Sequence, residues 1–207
     1  MSGPYLVGLT GSIGMGKTET GKMFARLGIP VYDADASVHQ LYERGGAAVE
    51  KIAKEFPGCV AGGRVDRGAL ADRVTGDPQA LQRLEHIVHP LVAEEQRRFL
   101  ARFAAQGADI VVLDIPLLFE TGGHQRMDAV VVVSAPQAIQ RARVLSRAAM
   151  TEDKLDQILE RQMPDAEKRA QAHFVVETGK GFEHAFEQVK QIVAALREQR
   201  QRQNTRA

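Results

Sequence analysis

The chain has 207 residues, 44% hydrophobic, 26% charged and 5% aromatic, with a formal net charge of +1. That profile fits a globular domain with a substantial core and excludes a disordered chain. Near-neutral charge, few aromatics and no Trp speak against nucleic acid as a partner. Cys59 is the only cysteine, which rules out an internal disulfide and a cysteine-built zinc site. No run approaches the roughly 20 apolar residues of a membrane helix. The first apolar run follows the N-terminus too closely, and without positive charge, to read as a signal peptide. A cytoplasmic protein with no membrane partner is expected.

In chain order, the first apolar run, Tyr5–Thr10, leads through a Gly-rich loop into a helix-like segment over 17–27. Further short apolar runs at 30–33, 109–115, 129–134 and 174–177 read as strands. Several are unbroken Val/Ile/Leu, as strands covered on both faces require. Asp77-Pro78 and Ala135-Pro136 read as helix entries, because Pro is favourable at a first helical position. Residues 79–105 have a helical composition, with Pro90 expected to break or kink the helix. Phe182, Phe186, Val189, Val193 and Leu196 recur at helical spacing and predict one apolar face. The arginine-rich stretch 197–207 reads as a solvated helix end that frays. Gly45-Gly46, Gly62-Gly63 and Gly122-Gly123 mark loops. Strand–helix alternation of this kind predicts an α/β fold with a parallel, doubly wound sheet.

The loop after the first strand, Gly11-Ser12-Ile13-Gly14-Met15-Gly16-Lys17-Thr18, matches G-x-x-x-x-G-K-[ST] at every fixed position. The strand before it and the helix after it supply the context that this motif needs. Glycines let backbone N–H groups converge on phosphate oxygens, and the following helix N-terminus adds partial positive charge. Lys17 is expected to reach the β- and γ-phosphates of ATP, and the Thr18 hydroxyl to ligate Mg²⁺.

A phosphate loop does not by itself say what happens to the nucleotide. The only asparagine is Asn204, so the Asn-Lys-x-Asp guanine signature is absent, and a small kinase fits the length. Ligands of open α/β sheets sit outside the carboxyl ends of the strands. There the second predicted strand ends in Asp33-Ala-Asp35, and the third ends its apolar run at Asp114. Asp114 suits a magnesium-holding carboxylate, and Asp33 suits a base that accepts the proton of an attacking hydroxyl. For each aspartate the competing reading is a helix N-cap or turn. Arg143 and Arg147 are four apart on a predicted helix and share a face, suiting them to neutralise a transferring phosphoryl group or simply to face solvent. Another small-molecule P-loop kinase, such as a nucleoside monophosphate kinase, and a non-catalytic nucleotide switch are the rival classes.

Across 5–196 the chain resembles the dephospho-CoA kinase family. The resemblance is carried by the phosphate loop and by Gly28-Ile-Pro-Val-Tyr-Asp33-Ala-Asp35. It continues with Asp66-Arg-Gly-Ala-Leu70, Leu84-Glu-His-Ile-Val-His89-Pro90, Asp114-Ile-Pro116-Leu117-Leu118-Phe-Glu120, Arg143-Val-Leu-Ser-Arg147 and Gln162. It implies phosphorylation of the ribose 3′-hydroxyl of dephospho-CoA by ATP, with Asp33 as general base and Asp35 on the substrate side. It further implies that His89, Pro116, Leu117, Leu118 and Glu120 shape the acceptor pocket, and that the stretch from Arg143 to Gln162 closes over ATP. Two positions depart from the family pattern. Thr178 stands where an Asn is usual, which bears on the adenine contacts, and Ala148 follows Arg147 where an acidic residue is common.

The architecture expected is a three-layer P-loop kinase fold with a parallel five-stranded sheet, built as a single domain. Its core is expected over about 1–34, 106–136 and 172–203, a helical CoA-side lobe over about 35–105, and a short helical lid over about 137–171. A monomer or weak homo-oligomer acting on a small molecule is expected.

Overall fold

Alternate residues of a strand face opposite sides of a sheet, so an unbroken apolar strand needs a cover on each. The computed structural model, which describes residues 3–206, has that arrangement. Its strands β1 (Tyr5–Thr10), β2 (Val31–Asp33), β5 (Ile110–Asp114), β6 (Ala129–Ser134) and β7 (Phe174–Glu177) form a five-stranded sheet in the order β2-β5-β1-β6-β7. β1 is therefore central, paired in parallel with β5 on one side and β6 on the other. Val7, Leu9, Ile110, Val112, Val131 and Val133 pack on one face with α1 (Lys17–Arg26) and α9 (Phe182–Arg206). Val130 and Val132 turn to the other face, against Leu118 and Phe119.

The chain divides into two units, one of residues 1–32 and 102–207, the other Asp33–Ala101. The first unit also carries the short 3₁₀ turn Gly123–Arg126 and the helices α6 (Gln137–Leu145), α7 (Glu152–Glu160) and α8 (Asp165–Ala170). In α9, Val189, Val193 and Leu196 are buried as the spacing predicts, but Phe182 is 40% exposed, with the Arg26 guanidinium 5.1 Å from its ring centre. The arginine-rich tail does not fray at Arg197. α9 continues to Arg206, held by a bond from Arg197 Nε to Asp109 (2.8 Å) and one from the Tyr5 hydroxyl to Gln199 (3.3 Å). Ala207 lies outside the described residues.

The second unit holds α2 (Ala34–Tyr42), α3 (Val49–Glu55), the strands β3 (Val60–Ala61) and β4 (Arg64–Val65), α4 (Arg67–Val74) and most of α5 (Pro78–Ala105). Its own core is built from Leu41, Val49, Ile52, Phe56, Val65 and Leu70, with the Cys59 thiol buried among them. Gly62 and Gly63, both at positive φ, close a two-residue hairpin between β3 and β4. Asp77 caps α5 by accepting from the backbone N–H groups of Gln79 and Ala80, each at 3.0 Å.

Pro90 does not break α5, which runs unbroken from Pro78 to Ala105. Its buried residue Ala80 and the half-buried Leu84, Ile87, Leu91 and Val92 hold both sides of the proline against the second unit's core. Packing of one helix face thus outweighs the lost backbone bond. Pro90→Ala restores that bond and is expected to stabilise the chain by about 1–3 kcal/mol in urea unfolding. A fall in stability would show that the proline is required by the packing.

Candidate active site

The phosphate loop begins where β1 ends, and its shape is held from outside by side chains. The Ile13 carbonyl accepts from Gln140 Nε2 of α6 at 2.8 Å. The Gly14 carbonyl accepts from Arg143 Nη1 at 3.4 Å, and the Met15 carbonyl from the Thr178 hydroxyl at 2.6 Å. Two glycines in the left-handed region, Gly14 (φ 78°) and Gly16 (φ 97°), make the reversal possible. Gly16 precedes α1 and has no side chain with which to cap it, so the first N–H groups of that helix are left without a side-chain acceptor. That is the donor set a phosphate needs.

Arg143 and Thr178 brace one another behind the loop. The guanidinium donates to Thr178 Oγ1 and to its carbonyl, each at 2.8 Å. Thr178 is 8% exposed, and its backbone N–H is bonded to the Ser134 carbonyl at the end of β6 (2.9 Å). A cavity of about 370 Å³ opens beside this brace, with Gly14, Gly16, Arg143, Arg147, Thr178 and Phe182 in its wall. Arg147 is exposed, and no ion pair involves it among the described residues.

At the front, the Lys17 ammonium forms an ion pair with Asp114, which ends β5 and is 4% exposed. Asp114 also lies against α1, where a Cβ on Gly21 would come within 3.6 Å of its carboxylate. The Thr18 side chain is exposed at the start of α1. The segment after β5 is tied to β1 by the Thr10 hydroxyl, which donates to the Pro116 carbonyl at 2.9 Å.

On the far side of the loop, Gln162 Oε1 accepts from the Ile13 N–H at 3.1 Å. Gln162 follows α7, and the next residue donates its backbone N–H to Glu120 Oε1 at 2.8 Å. Glu120 also forms an ion pair with Lys168, at 2.9 Å. Burial pushes the Glu120 carboxyl up, but the bonds from Lys168 and from the backbone outweigh it and hold the group below the usual glutamate range.

The residues singled out from sequence divide between the units. Ser12, Ile13, Lys17, Thr18, Asp114, Arg143 and Arg147 all belong to the first, around one loop. Asp33, Asp35 and His89 belong to the second. Asp33 caps α2 there, its Oδ1 accepting from the Ala36 N–H at 2.9 Å, and Asp35 and His89 are exposed. In the run after Asp114, Leu117 is 41% exposed whereas Leu118 is fully buried among Phe119, Val130 and Val132. Leu118 and Glu120 therefore both turn inward. Two residues that hold the loop from outside, Gln140 and Thr178, carry no motif of their own, and neither does Lys168. The interrupted apolar pattern of α6 was the one available hint for Gln140, which is 4% exposed.

A phosphate loop at the carboxyl end of the central strand of a parallel sheet, with a loop lysine meeting a strand-end aspartate, defines a P-loop nucleotide-binding protein. Comparison with known proteins narrows the class. The family model described as dephospho-CoA kinase matches residues 5–203. A protein of Rhodopseudomonas palustris (strain BisB18) with that name is 52% identical over 197 residues, which is 95% of this chain and 98% of the relative. One of Bradyrhizobium diazoefficiens is 54% identical over 191 residues, 92% and 95% of the two chains. A crystal structure of a Thermus thermophilus protein superposes with a TM-score of 0.82 at 36% identity, covering 94% of this chain and 98% of that one. The dephospho-CoA kinase of Campylobacter jejuni shares the fold, with a TM-score of 0.66 at 18% identity over 93% and 97% of the chains. The chain belongs to the dephospho-CoA kinase family.

Two outcomes are expected from the geometry. Thr178→Val keeps the shape but leaves the Met15 carbonyl without its donor, costing about 1–3 kcal/mol and weakening nucleotide binding. Thr178→Ser keeps the hydroxyl and should remain close to the parent in thermal unfolding and KM for ATP; equal behaviour of the two variants would contradict the brace. Secondly, because the Glu120 carboxyl is lowered on folding, its stabilisation is present above the unfolded value and is lost as pH falls through the folded one. A carbon-detected NMR titration should find Glu120 ionising below the ordinary value of about 4.3. A value above it would mean that Lys168 does not hold the carboxylate.

Proposed function

We infer that the chain transfers the γ-phosphoryl group of ATP to the ribose 3′-hydroxyl of dephospho-CoA, giving coenzyme A and ADP. The observation that carries this reading is a braced phosphate loop in a chain about half identical to dephospho-CoA kinases along nearly its whole length. In phosphoryl transfer little covalent work falls to the protein, so positioning and charge stabilisation are its main tasks.

Each residue then has a physical task. The loop Gly11, Ser12, Ile13, Gly14, Met15 and Gly16 wraps the phosphates with those backbone N–H groups not already held, as Ile13's is by Gln162 and Met15's by the Ser12 carbonyl. Lys17, sharing its charge with Asp114 in the free protein, moves that charge onto the β- and γ-oxygens. Thr18 and Asp114 offer hard oxygen ligands, the type Mg²⁺ takes while keeping several waters. Magnesium held there would supply positive charge to the phosphates. Arg147 meets the charge that spreads over the transferring group, and Arg143 positions the loop while presenting a second cation.

On the acceptor side Asp33 orients the ribose hydroxyl and takes its proton. Its N-cap bond to Ala36 occupies Oδ1 and fixes the side chain, which favours a base with one oxygen committed and the other free for the acceptor. For the acceptor the second unit offers Asp35 and His89 and the first offers Pro116 and Leu117, a run that Leu118 and Glu120 support from within. Closure of the stretch between Arg143 and Gln162 over the nucleotide excludes water, which would otherwise replace the acceptor. With a near-neutral charge, this reading places a small-molecule kinase in the cytosol, as a monomer or weak homo-oligomer. No helix among the described residues is long and apolar enough to cross a membrane.

Purified protein with ATP and Mg²⁺ should release ADP when dephospho-CoA is added and not with AMP, CMP or adenosine; turnover with a nucleotide instead would reject the acceptor. Asp33→Asn should lower kcat by about 10²–10⁴-fold with ATP affinity little changed, the range of general-base loss. Near-normal turnover in that variant would remove Asp33 from the role. Lys17→Ala should depress turnover even at saturating ATP.

A further inference from the structure

Lys168 is 0% exposed, and its ammonium lies 2.9 Å from Glu120 Oε1. Among the described residues neither Lys168 Nζ nor Glu120 Oε2 has a further hydrogen-bond partner. A buried pair of this kind is a weak source of stability, because apolar residues of similar volume often do as well or better. What it supplies is position. The oxygen that meets Lys168 also accepts the backbone N–H of Met163 at 2.8 Å, which fixes the turn between α7 and α8. The preceding side chain, Gln162, accepts from the Ile13 N–H at 3.1 Å. From the opposite side of the same residue, Gln140 donates to the Ile13 carbonyl at 2.8 Å. A connected line therefore runs from a buried ammonium through a carboxylate, a backbone turn and a carboxamide to the phosphate loop.

The rest of α8 is anchored independently of this line. Asp165 Oδ2 accepts from the Ser134 hydroxyl at 2.7 Å, and Arg169 Nη1 reaches both Ser134 Oγ (3.1 Å) and Glu177 (2.8 Å). Those contacts hold the helix against β6 and β7 without fixing the turn at 162–163. At that turn Glu120, itself placed by Lys168, accepts the Met163 N–H, and Gln171 Nε2 reaches only the Met163 sulfur, at 3.6 Å.

We propose that Lys168 and Glu120 are positioning residues for phosphoryl transfer: they fix the turn at 162–163 so that Gln162 holds the Ile13 peptide, and with it the phosphate loop, in its working shape. The pair touches no reacting atom and acts through Gln162. The inference rests on the reading of the chain as an ATP-dependent kinase, but one arm of its test is independent of turnover.

The test compares Lys168→Met/Glu120→Leu, Gln162→Ala and the triple variant with the parent. The pair variant should stay folded with only a modest loss of Tm, because an apolar pair replaces the ionic one while the Met163 N–H loses its acceptor. Its kcat should fall by about 10- to 100-fold, the scale of a displaced catalytic element, with a smaller change in KM for dephospho-CoA. Gln162→Ala should show a similar fall, and the triple variant should be no worse than either, since groups acting in one line are not additive. Hydrogen exchange at the Ile13 amide, measured without substrate, should be faster in all three than in the parent. Full kcat in the pair variant, multiplying losses in the triple variant, or unchanged Ile13 exchange would each overturn the proposal. If the pair variant does not fold, Gln162→Ala decides alone: full kcat with Ile13 exchange as in the parent overturns it. A parent that turns over no dephospho-CoA would reject the functional reading, while the exchange arm would still decide the positioning line.

Discussion

A loop that points its N–H groups at an anion must send the carbonyls of the same peptides the other way, and those carbonyls need donors of their own. Here the carbonyls of Ile13, Gly14 and Met15 meet Gln140, Arg143 and Thr178. Those partners come from α6 and from the segment after β7, so the phosphate site depends on packing at the carboxyl ends of β6 and β7. The glycines permit the loop's shape, and the distant side chains select it. A loop held this way loses less freedom when nucleotide binds, which is the physical content of preorganisation.

The same constraint explains why charged groups in this unit are paired rather than scattered. Lys17 meets Asp114 at the front of the loop, and Lys168 meets Glu120 beneath the turn that carries Gln162. The first pair can exchange its partner for phosphate, because Lys17 lies at the loop mouth. The second is closed off, with Lys168 fully buried, and so suits a fixed role. One ion pair is thus placed to change during turnover and the other to stay.

The sheet, the phosphate loop and the two helix entries were legible in the sequence because each rests on a local signal. Unbroken Val and Ile runs announce strands covered on both faces, and G-x-x-x-x-G-K-[ST] announces its own backbone geometry. Pro90 was misjudged because helix propensity is local, whereas the packing of Leu84, Ile87, Leu91 and Val92 that carries α5 through it is tertiary. Phe182 obeyed the spacing rule yet stayed exposed, since it sits at the first turn of α9, beyond the reach of the core. The loop's outer partners were hidden for a different reason. Thr178 bonds Met15 across 163 positions and Gln140 bonds Ile13 across 127, and no spacing rule connects residues so far apart. Thr178 drew notice only as a departure from the family pattern, with no sign of the bond it makes. Leu118 and Glu120 lie in a recognisable motif, but which members of a motif face a ligand and which face the core is decided by the fold.

The most direct test of the central claim is to locate the phosphate in the product. Incubating the purified protein with ATP, Mg²⁺ and dephospho-CoA, then examining the product by phosphorus NMR and mass spectrometry, should reveal one added phosphomonoester, on the ribose 3′-oxygen, in step with ADP release. Inorganic phosphate as the only new species, or a phosphate elsewhere on the acceptor, would contradict it.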